Sequence, residues 1–306
     1  MYDAEQLTTL AAVVAEGTFD AAAQTLHVTP SAVSQRVRAL EQHAGQVLVL
    51  RTRPCRPTAA GEVLVRLAGQ RAALDTEARH ALGQLGGPAD RLPVAVNADS
   101  LATWFVQVLS SVGDDVTVEV HREDQDRTAQ LLRDGTVMAA VTGDGRAVQG
   151  CRSVPLGSAR YRAMASASFV ARHLADVPLG ASGERRRLAR ALATAPAVAF
   201  TAEDALQHRF VTMLGGGAGL RRVHHVPSSS AYVSVVAAGL GWGMVSEQEA
   251  DQLAPAGVLV DLAPGSWLDV PLWWQRWAVR TRALDELSDR VVEVARSALR
   301  QAPVAV

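Results

Sequence analysis

The sequence of 306 residues contains no lysine, only two cysteines and no long apolar run. Cys55 and Cys151 are too few for a disulfide framework or a cysteine-rich zinc site, as expected in a reducing compartment. Every apolar run is shorter than the roughly 18 residues of a transmembrane helix, and the N-terminus lacks the basic cluster of a secretory signal. The sequence therefore predicts a cytoplasmic protein without a membrane partner.

A strong charge of either sign is also missing, since the formal net charge is −1. The overall balance therefore indicates no nucleic-acid or membrane partner, and such a partner must be argued from local charge. All 30 basic residues are arginine, which we attribute to biased nucleotide composition. A hydrophobic content of 48% and a charged content of 20% are typical of globular proteins. At roughly 150 residues per domain, the length predicts about two domains.

Three helical patterns occupy the first 43 residues. Residues 4–15 carry an apolar stripe that ends at Gly17, and a second short helix is predicted from Thr18. A third helix is predicted from about Pro30 to His43, with Thr29 as its N-cap and proline in its first turn. Two short helices followed by a third with a polar outer face are typical of a helix-turn-helix.

The third helix separates a core stripe from a polar face. Val33, Val37 and Leu40 recur at helical spacing and predict its buried side. The polar side suits the major groove of DNA, where hydroxyl, amide and guanidinium groups can bond base edges or phosphates. The predicted DNA contacts here are Thr29, Ser31, Ser34, Gln35 and Arg38. Periodicity alone leaves open a helical bundle whose polar face is only solvated.

A short apolar strand at residues 47–50 leads into a loop punctuated by prolines. This loop is typical of a wing along the phosphate backbone, with Arg51, Arg53 and Arg56 as predicted contacts. Residues 31–66 contain six arginines and two glutamates, a local positive excess that phosphate neutralisation requires.

The run from Gly17 to Arg51 closely resembles the winged helix-turn-helix of LysR-type transcriptional regulators. In that family the second helix opens with an aromatic residue and an alanine pair, matched here by Phe19, Ala22 and Ala23. The resemblance implies a homo-oligomer that binds a double-stranded DNA operator and contacts RNA polymerase.

The recognition helix carries the densest part of this resemblance. The family pattern S-A-V-S-x-x-I-x-x-L-E matches Ser31 to Glu41, with Val37 in place of the usual isoleucine. The wing of the family ordinarily starts with a Phe-x-Arg step, from which Leu50-Arg51 departs mildly.

A fourth helix is predicted between residues 59 and 86, capped by Thr58 and ended by Gly86-Gly87-Pro88. Its narrow apolar stripe can pack against a partner helix or against its own chain. Similarity to the family implies an antiparallel pair of such helices in a dimer, with a tetramer as a further assembly. The predicted domains are 1–58, a winged helix-turn-helix; 59–88, a linker and dimerisation helix; and 89–306, an effector-binding domain.

From residue 91 onward, short β-rich runs alternate with helical stretches. This alternation indicates an α/β fold with largely parallel sheets. Similarity to the family implies a two-lobed, periplasmic-binding-protein-like domain that closes on an effector. We expect lobe I at about 91–163 and 267–306, and lobe II at about 164–266. Buried strands are predicted at 92–96, 116–120, 137–141, 197–200, 223–226 and 243–245.

Ligands of such sheets bind beyond the carboxyl ends of the strands, next to helix N-termini. Asp99 and Ser100 follow one strand and either cap the next helix or help its dipole to bind a carboxylate. The acids at 123 and 124 either hold a cation or favour the dipole of the following helix. The predicted effector contacts are Asp99, Ser100, Glu123, Asp124, Thr128, Thr201, Ser228 and Ser229.

The segment from Val96 to Trp104 is similar to a narrower branch of the family, the LysG/ArgP regulators, which activate genes for basic amino-acid exporters. The resemblance implies lysine or arginine as effector and no cofactor. We expect the carboxylate of the effector near Ser100 and its cation near Glu123 and Asp124. The alternatives are a LysR-type regulator with another effector and, less favoured, a ligand-binding protein that does not bind DNA.

Catalytic and metal-binding patterns are not evident in the sequence. The glycine-rich run 239–243 follows a helix and precedes a strand, the reverse of a nucleotide-binding loop, so we interpret it as a packing element. His224 and His225 alternate across a strand and make a poor metal pair. The sequence therefore predicts neither an enzyme nor a metal site.

Overall fold

The computed structural model describes residues 1–84, 90–122, 125–180, 182–217 and 219–301. The chain forms two compact units. Unit 1 comprises Met1–Asn97, Gln107–Pro155 and Trp273–Glu293, and unit 2 comprises Ala98–Val106, Leu156–Leu272 and the segment from Val294 onward. In the described parts of the chain, no helix is long and apolar enough to cross a membrane.

The N-terminal elements appear in the order that the sequence predicts. They are α1 (Ala4–Glu16), α2 (Phe19–Thr25), α3 (Pro30–Ala44), β1 (Val49–Leu50), β2 (Arg56–Pro57) and α4 (Ala59–Ala81). Strands β1 and β2 pair in antiparallel fashion and form the predicted wing.

Threonine side chains begin three of these helices. The hydroxyl of Thr29 accepts a hydrogen bond from the Ala32 amide at 3.2 Å, and that of Thr58 accepts one from the Gly61 amide at 3.1 Å. Both predicted caps are thereby confirmed, and Thr18 caps α2 in the same way. An N-cap of this kind stabilises a helix by about 1 kcal/mol.

The apolar stripe of α3 closes the core of the winged helix-turn-helix. Val33, Val37 and Leu40 are fully buried against Leu10 and Val13 of α1, which confirms the predicted buried side. The opposite side of α3 remains free for contacts outside the domain.

Helix α4 ends at Ala81, earlier than predicted, and Gly86-Gly87-Pro88 lies outside the described residues. Leu64 is buried in the core of its own chain, whereas Leu67 and Leu74 are exposed one heptad apart. The stripe of α4 is thus divided between an internal and an external face.

The remaining elements alternate between strands and helices. They are β3 (Asp90–Val96), α5 (Ala98–Ala102), α6 (Phe105–Leu109), β4 (Val116–Arg122), α7 (Gln125–Arg133), β5 (Ala139–Thr142), β6 (Cys151–Ala165), α8 (Ala167–His173), α9 (Arg185–Thr194), β7 (Ala197–Ala199), α10 (Leu206–Met213), β8 (Val223–His225), α11 (Ser229–Ala237), β9 (Trp242–Ser246), α12 (Glu247–Leu253), β10 (Val260–Asp261), β11 (Leu268–Trp277) and α13 (Arg282–Ala298).

Each unit contains a mixed sheet. In unit 1, β3 is parallel to β4 and β5, and the end of β11 is antiparallel to β5. In unit 2, β7 is parallel to β8 and β9, β6 is antiparallel to β9, and β10 is antiparallel to β6. The predicted parallel arrangement is confirmed for β3 to β5 and for β7 to β9.

The long strands β6 and β11 are absent from the sequence prediction. Strand β6 contains Pro155 and Gly157, residues that weaken a strand pattern. The chain passes from one unit to the other within these strands, at 155/156 and 272/273. The lobe boundaries predicted near 163 and 267 stay predictions.

Candidate functional site

Helix α3 presents a short row of polar side chains away from the domain core. Ser31, Gln35 and Arg38 are exposed and Ser34 is half-buried, at the spacing of one helix face. The hydroxyl of Thr29 lies 2.9 Å from that of Ser31, at the N-terminus of the helix. The structure therefore brings together the five residues predicted to contact DNA in this region.

The wing places its arginines beside the start of α2. Arg51, Arg53 and Arg56 are all exposed. The guanidinium of Arg51 lies 4.8 Å from the centre of the Phe19 ring, a cation–π contact that holds the side chain at the surface. The amide of Cys55 donates to the carbonyl of Gly17 at 2.7 Å and ties the wing to the end of α1.

A second polar cluster lies in unit 2, at the carboxyl ends of its parallel strands. Asp204 follows β7, Ser229 follows β8 and Glu249 follows β9. Asp99, from α5, accepts hydrogen bonds from the Tyr161 hydroxyl at 2.7 Å and the Ser229 hydroxyl at 3.4 Å. We call Asp99, Asp204 and Glu249 the carboxylate cluster.

Other side chains hold the members of the carboxylate cluster in place. Asp204 accepts from the amides of Phe200 and Leu206 at 2.9 and 3.0 Å. The hydroxyl of Ser246 donates to Glu249 at 2.6 Å. Among the described residues, none of the three carboxylates forms an ion pair with an arginine or histidine.

Burial and a neighbouring carboxylate raise the pKa of two members of the carboxylate cluster, Asp99 and Glu249. Burial raises the pKa of the Asp99 carboxyl; the Tyr161 hydrogen bond opposes this shift, and the charge of Asp204 adds to it. Burial also raises the pKa of Glu249, against the hydrogen bond from Ser246 and together with the charge of Asp99. The charged forms of Asp99 and Glu249 are therefore disfavoured, and a bound cation would stabilise them.

Two small cavities share Asp99 and Tyr161 in their walls. One has a volume of about 40 Å³ and is also lined by Ser100, and the other, of about 20 Å³, is lined by Asp204 and Glu249. A water molecule needs roughly 10–15 Å³, so these spaces suit water or a group as small as an ammonium. A whole amino acid would extend beyond them.

Several predicted effector contacts belong to this part of unit 2. Asp99 and Ser229 are bonded to each other, Ser100 is buried beside Asp99, and Thr201 lies in the turn that ends at Asp204. In Ser228, which precedes α11, the hydroxyl lies 3.4 Å from that of Ser230. Thr128 is fully buried in α7, within unit 1. Glu123 and Asp124 lie outside the described residues.

The interpretation of Asp99 or Ser100 as a helix cap is wrong. Helix α5 begins at Ala98, so both residues lie inside its first turn. The carboxylate of Asp99 turns to Tyr161 and Ser229, because these distant residues offer it two hydroxyl donors.

The sequence prediction did not include Tyr161, Asp204 and Glu249. Ser246 and Glu249 form an S-x-x-E pattern directly after a strand, a capping-box signal that could have located Glu249. No sequence signal pointed to Tyr161, because it lies in β6, a strand that the sequence did not predict.

The glycine run 239–243 has a packing role, as predicted. A Cβ at Gly243 would lie 2.5 Å from the hydroxyl oxygen of Tyr232, so only glycine lets this hydroxyl approach β9 so closely.

Two family models match the chain. The model described as bacterial regulatory helix-turn-helix protein, lysR family, matches residues 4–62, and the LysR substrate binding domain matches residues 85–300. The lysine export transcriptional regulatory protein LysG of Corynebacterium glutamicum is 39% identical over 302 residues, covering 96% of this chain and 98% of that protein.

Solved structures show the same relationship. The crystal structure of ArgP from Mycobacterium tuberculosis has a TM-score of 0.88 and 45% identity, covering 99% of this chain and 100% of that chain. The full-length LysG from Corynebacterium glutamicum with bound effector arginine has a TM-score of 0.77 and 38% identity, covering 97% and 99% of the two chains.

Proposed function

The chain belongs to the LysR family of bacterial transcriptional regulators, and from this premise we propose that a basic amino acid controls its action on an exporter gene. The observation that carries the proposal is the carboxylate cluster of unit 2, three acids without an ion-pair partner among the described residues. Relatives named for lysine export and a relative with bound arginine support a basic amino acid as effector.

In this proposal the cationic group of the effector binds at Asp99, Asp204 and Glu249. A guanidinium or ammonium group offers several N–H donors to carboxylates and neutralises their repulsion. This assignment differs from the expectation that Glu123 and Asp124 hold the cation. Ser100, Thr201, Ser228 and Ser229 supply hydroxyl groups for the remaining polar atoms of the effector. Thr128 keeps the role of an effector contact only as a prediction.

The effector acts by favouring one arrangement of unit 2. A ligand shifts an equilibrium only as far as it binds one state better than another. Three neighbouring carboxylates repel one another when no cation is bound, and a bound cation removes this repulsion. The arrangement that gathers the carboxylates is therefore the state that the effector stabilises.

For the oligomer, we propose that α4 pairs with α4 of a second copy. The exposed Leu67 and Leu74, seven residues apart, form an apolar seam that a partner helix can cover. A dimer would carry two recognition helices, as operators with two half-sites require. Two dimers could join in a tetramer, and RNA polymerase is the proposed target of the DNA-bound regulator.

A thermal-shift survey with all twenty amino acids tests the effector proposal. Arginine or lysine at about 100 times its dissociation constant should stabilise the protein by about 2.7 kcal/mol. Neutral and acidic amino acids should leave the melting temperature unchanged, because they bring no cation to the carboxylate cluster. A response to a neutral amino acid alone would contradict the basic effector.

Substitution of Arg38 tests the DNA contacts of α3. Arg38→Ala should weaken binding to a DNA site, selected from a random duplex library, by about 1–3 kcal/mol and relax its base preference. The matched control is Arg36→Ala on the same helix, since Arg36 forms an ion pair with Glu5 at 2.8 Å. Equal base discrimination by wild type and Arg38→Ala would remove the base-reading role from this residue.

A further inference from the structure

Two sets of arginines in unit 2 differ in whether they form ion pairs. Arg160, Arg162 and Arg300 form ion pairs with Asp269, Asp251 and Glu247. In contrast, a set around α9 is exposed and forms no ion pair with any described residue. We call it the basic surface: Arg172, Arg185, Arg186, Arg190, Arg221 and Arg222.

Helix α9 forms the centre of the basic surface. Its apolar side, Leu188 and Leu192, is buried in the core of unit 2. Arg185, Arg186 and Arg190 lie outside this apolar side and are exposed to solvent. The neighbouring Arg187 reaches Glu184 only at 3.8 Å.

Backbone contacts bring the other arginines next to α9. The amide of Arg221 donates to the carbonyl of Ala193, near the end of α9, at 3.0 Å, and the carbonyl of Arg222 accepts from the Ala197 amide at 2.9 Å. Burial lowers the pKa of His173 in α8, and the charges of Arg172 and Arg222 lower it further, so both arginines act on the same histidine.

The basic surface and the carboxylate cluster lie at opposite ends of the same strands. Arg221 and Arg222 directly precede β8, whereas Ser229 and the carboxylates follow the strand ends. The surface is therefore separate from the proposed effector site. Residues 167–226 contain eight arginines and four acids, an excess of four positive charges, equal to that of residues 31–66.

The chemistry of the surface distinguishes between two classes of partner. Protein interfaces are centred on buried apolar and aromatic side chains, whereas DNA interfaces are more polar and more positive. Among the large apolar side chains that the structure shows as exposed, Met213 alone lies within residues 167–226. The unpaired arginines resemble Arg38 of α3 and the arginines of the wing, and guanidinium groups bind phosphate in a forked geometry.

We propose that the basic surface of unit 2 binds the phosphate backbone of duplex DNA beyond the site that α3 and the wing read. This second contact carries no base specificity. It adds affinity, and therefore salt dependence, when the duplex extends past the recognised site.

The test compares two exposed triple variants of the full-length protein. The surface variant carries Arg185→Gln, Arg190→Gln and Arg221→Gln. The control variant carries Arg146→Gln, Arg152→Gln and Arg296→Gln, three exposed arginines outside the surface. Affinity is measured from 50 to 200 mM salt on the selected site alone and on the same site with long random flanks. Unchanged circular dichroism and melting temperature confirm that each variant is folded.

On the long duplex, the slope of log affinity against log salt should become shallower by about 2.7 in the surface variant, because each lost phosphate contact contributes about 0.9. Its affinity should therefore fall about 40-fold less than that of wild type between 50 and 200 mM salt. The control variant should keep the wild-type slope, and all three proteins should agree on the short duplex.

Three results would overturn the proposal. One is a wild-type slope for the surface variant on the long duplex. Another is an equally shallow salt slope for the control variant, which would show that the effect comes from the change in net charge and not from the position of the arginines. The third is an unchanged DNA slope with a loss of binding to polyglutamate, used as an acidic-protein probe, which would assign the surface to a protein partner.

Discussion

Asp99→Asn is expected to lower the affinity for arginine about 100-fold, because removing one member of a buried, hydrogen-bonded charge pair costs about 2–5 kcal/mol. Asp99 lies at the centre of the carboxylate cluster, in the walls of both cavities. Asparagine keeps the shape and can still accept from Tyr161, so the loss reports on charge. Isothermal titration calorimetry with arginine and with citrulline, its uncharged analogue, measures the effect. Wild type should prefer arginine, and the variant should lose most of this preference.

The same substitution should stabilise the ligand-free protein at neutral pH. The raised pKa of Asp99 means that the folded state holds its proton more tightly than the unfolded state does. This tighter proton binding by Asp99 adds to the free energy of unfolding. The added stability is complete below the ordinary pKa of 3.8 and is lost as pH rises through the raised pKa of the folded state. Asp99→Asn avoids this loss, so its advantage in melting temperature over wild type should grow with pH across that window.

Asp251→Asn provides the matched control. Asp251 is an exposed carboxylate of the same unit, paired with Arg162, and exposed ion pairs are worth about 0–1 kcal/mol. Its substitution should change arginine affinity little and should not raise the melting temperature. Wild-type binding by Asp99→Asn would move the cation site elsewhere, with the region of Glu123 and Asp124 as the next candidate.

Gly61→Ala is expected to reduce operator affinity about 30-fold, through a steric effect on the base of the wing. A Cβ at this position would lie 2.0 Å from the carbonyl oxygen of Leu48 and 3.0 Å from its carbon. Backbone atoms cannot yield as a flexible side chain does, so α4 and the strand that enters the wing must separate. Such overpacking costs about 1–3 kcal/mol, more than the roughly 1 kcal/mol that alanine gains over glycine in a helix.

The matched control is Gly183→Ala, where a Cβ would meet no atom within 4 Å. DNA affinity and hydrogen exchange of the amides in residues 1–81 are the measurements. Gly61→Ala should speed exchange at Leu48 and Cys55 and leave arginine binding in unit 2 unchanged. Wild-type DNA affinity in this variant would show that the wing tolerates displacement from α4.

The winged helix-turn-helix could be predicted from sequence because its signals are local. Thr29 and Pro30 begin α3, and the Val33–Val37–Leu40 spacing identifies its buried side within a single helix. Once the buried side of α3 is known, the residues on its other side are predicted to form the polar face. Short-range geometry of this kind needs no knowledge of the rest of the chain.

The carboxylate cluster could be predicted only in part. The rule that ligands bind at the carboxyl ends of parallel strands selected Asp99 and Ser229 correctly as neighbours. It did not select Tyr161, 62 residues from Asp99 in the chain, because that side chain belongs to an antiparallel strand. Nor could the sequence indicate that Asp99 bonds side chains outside its own helix.

By itself, the sequence determined the DNA-binding module, the family and the alternation of strands and helices, since each depends on residue types a few positions apart. The tertiary structure alone decided which acids share one site, which of the described arginines form no ion pair and where a Cβ in place of a glycine would meet backbone atoms. These properties depend on burial and on distances between segments far apart in the chain. A carboxylate acquires an altered pKa, and an arginine its freedom to bind phosphate, from neighbours that only the folded chain supplies.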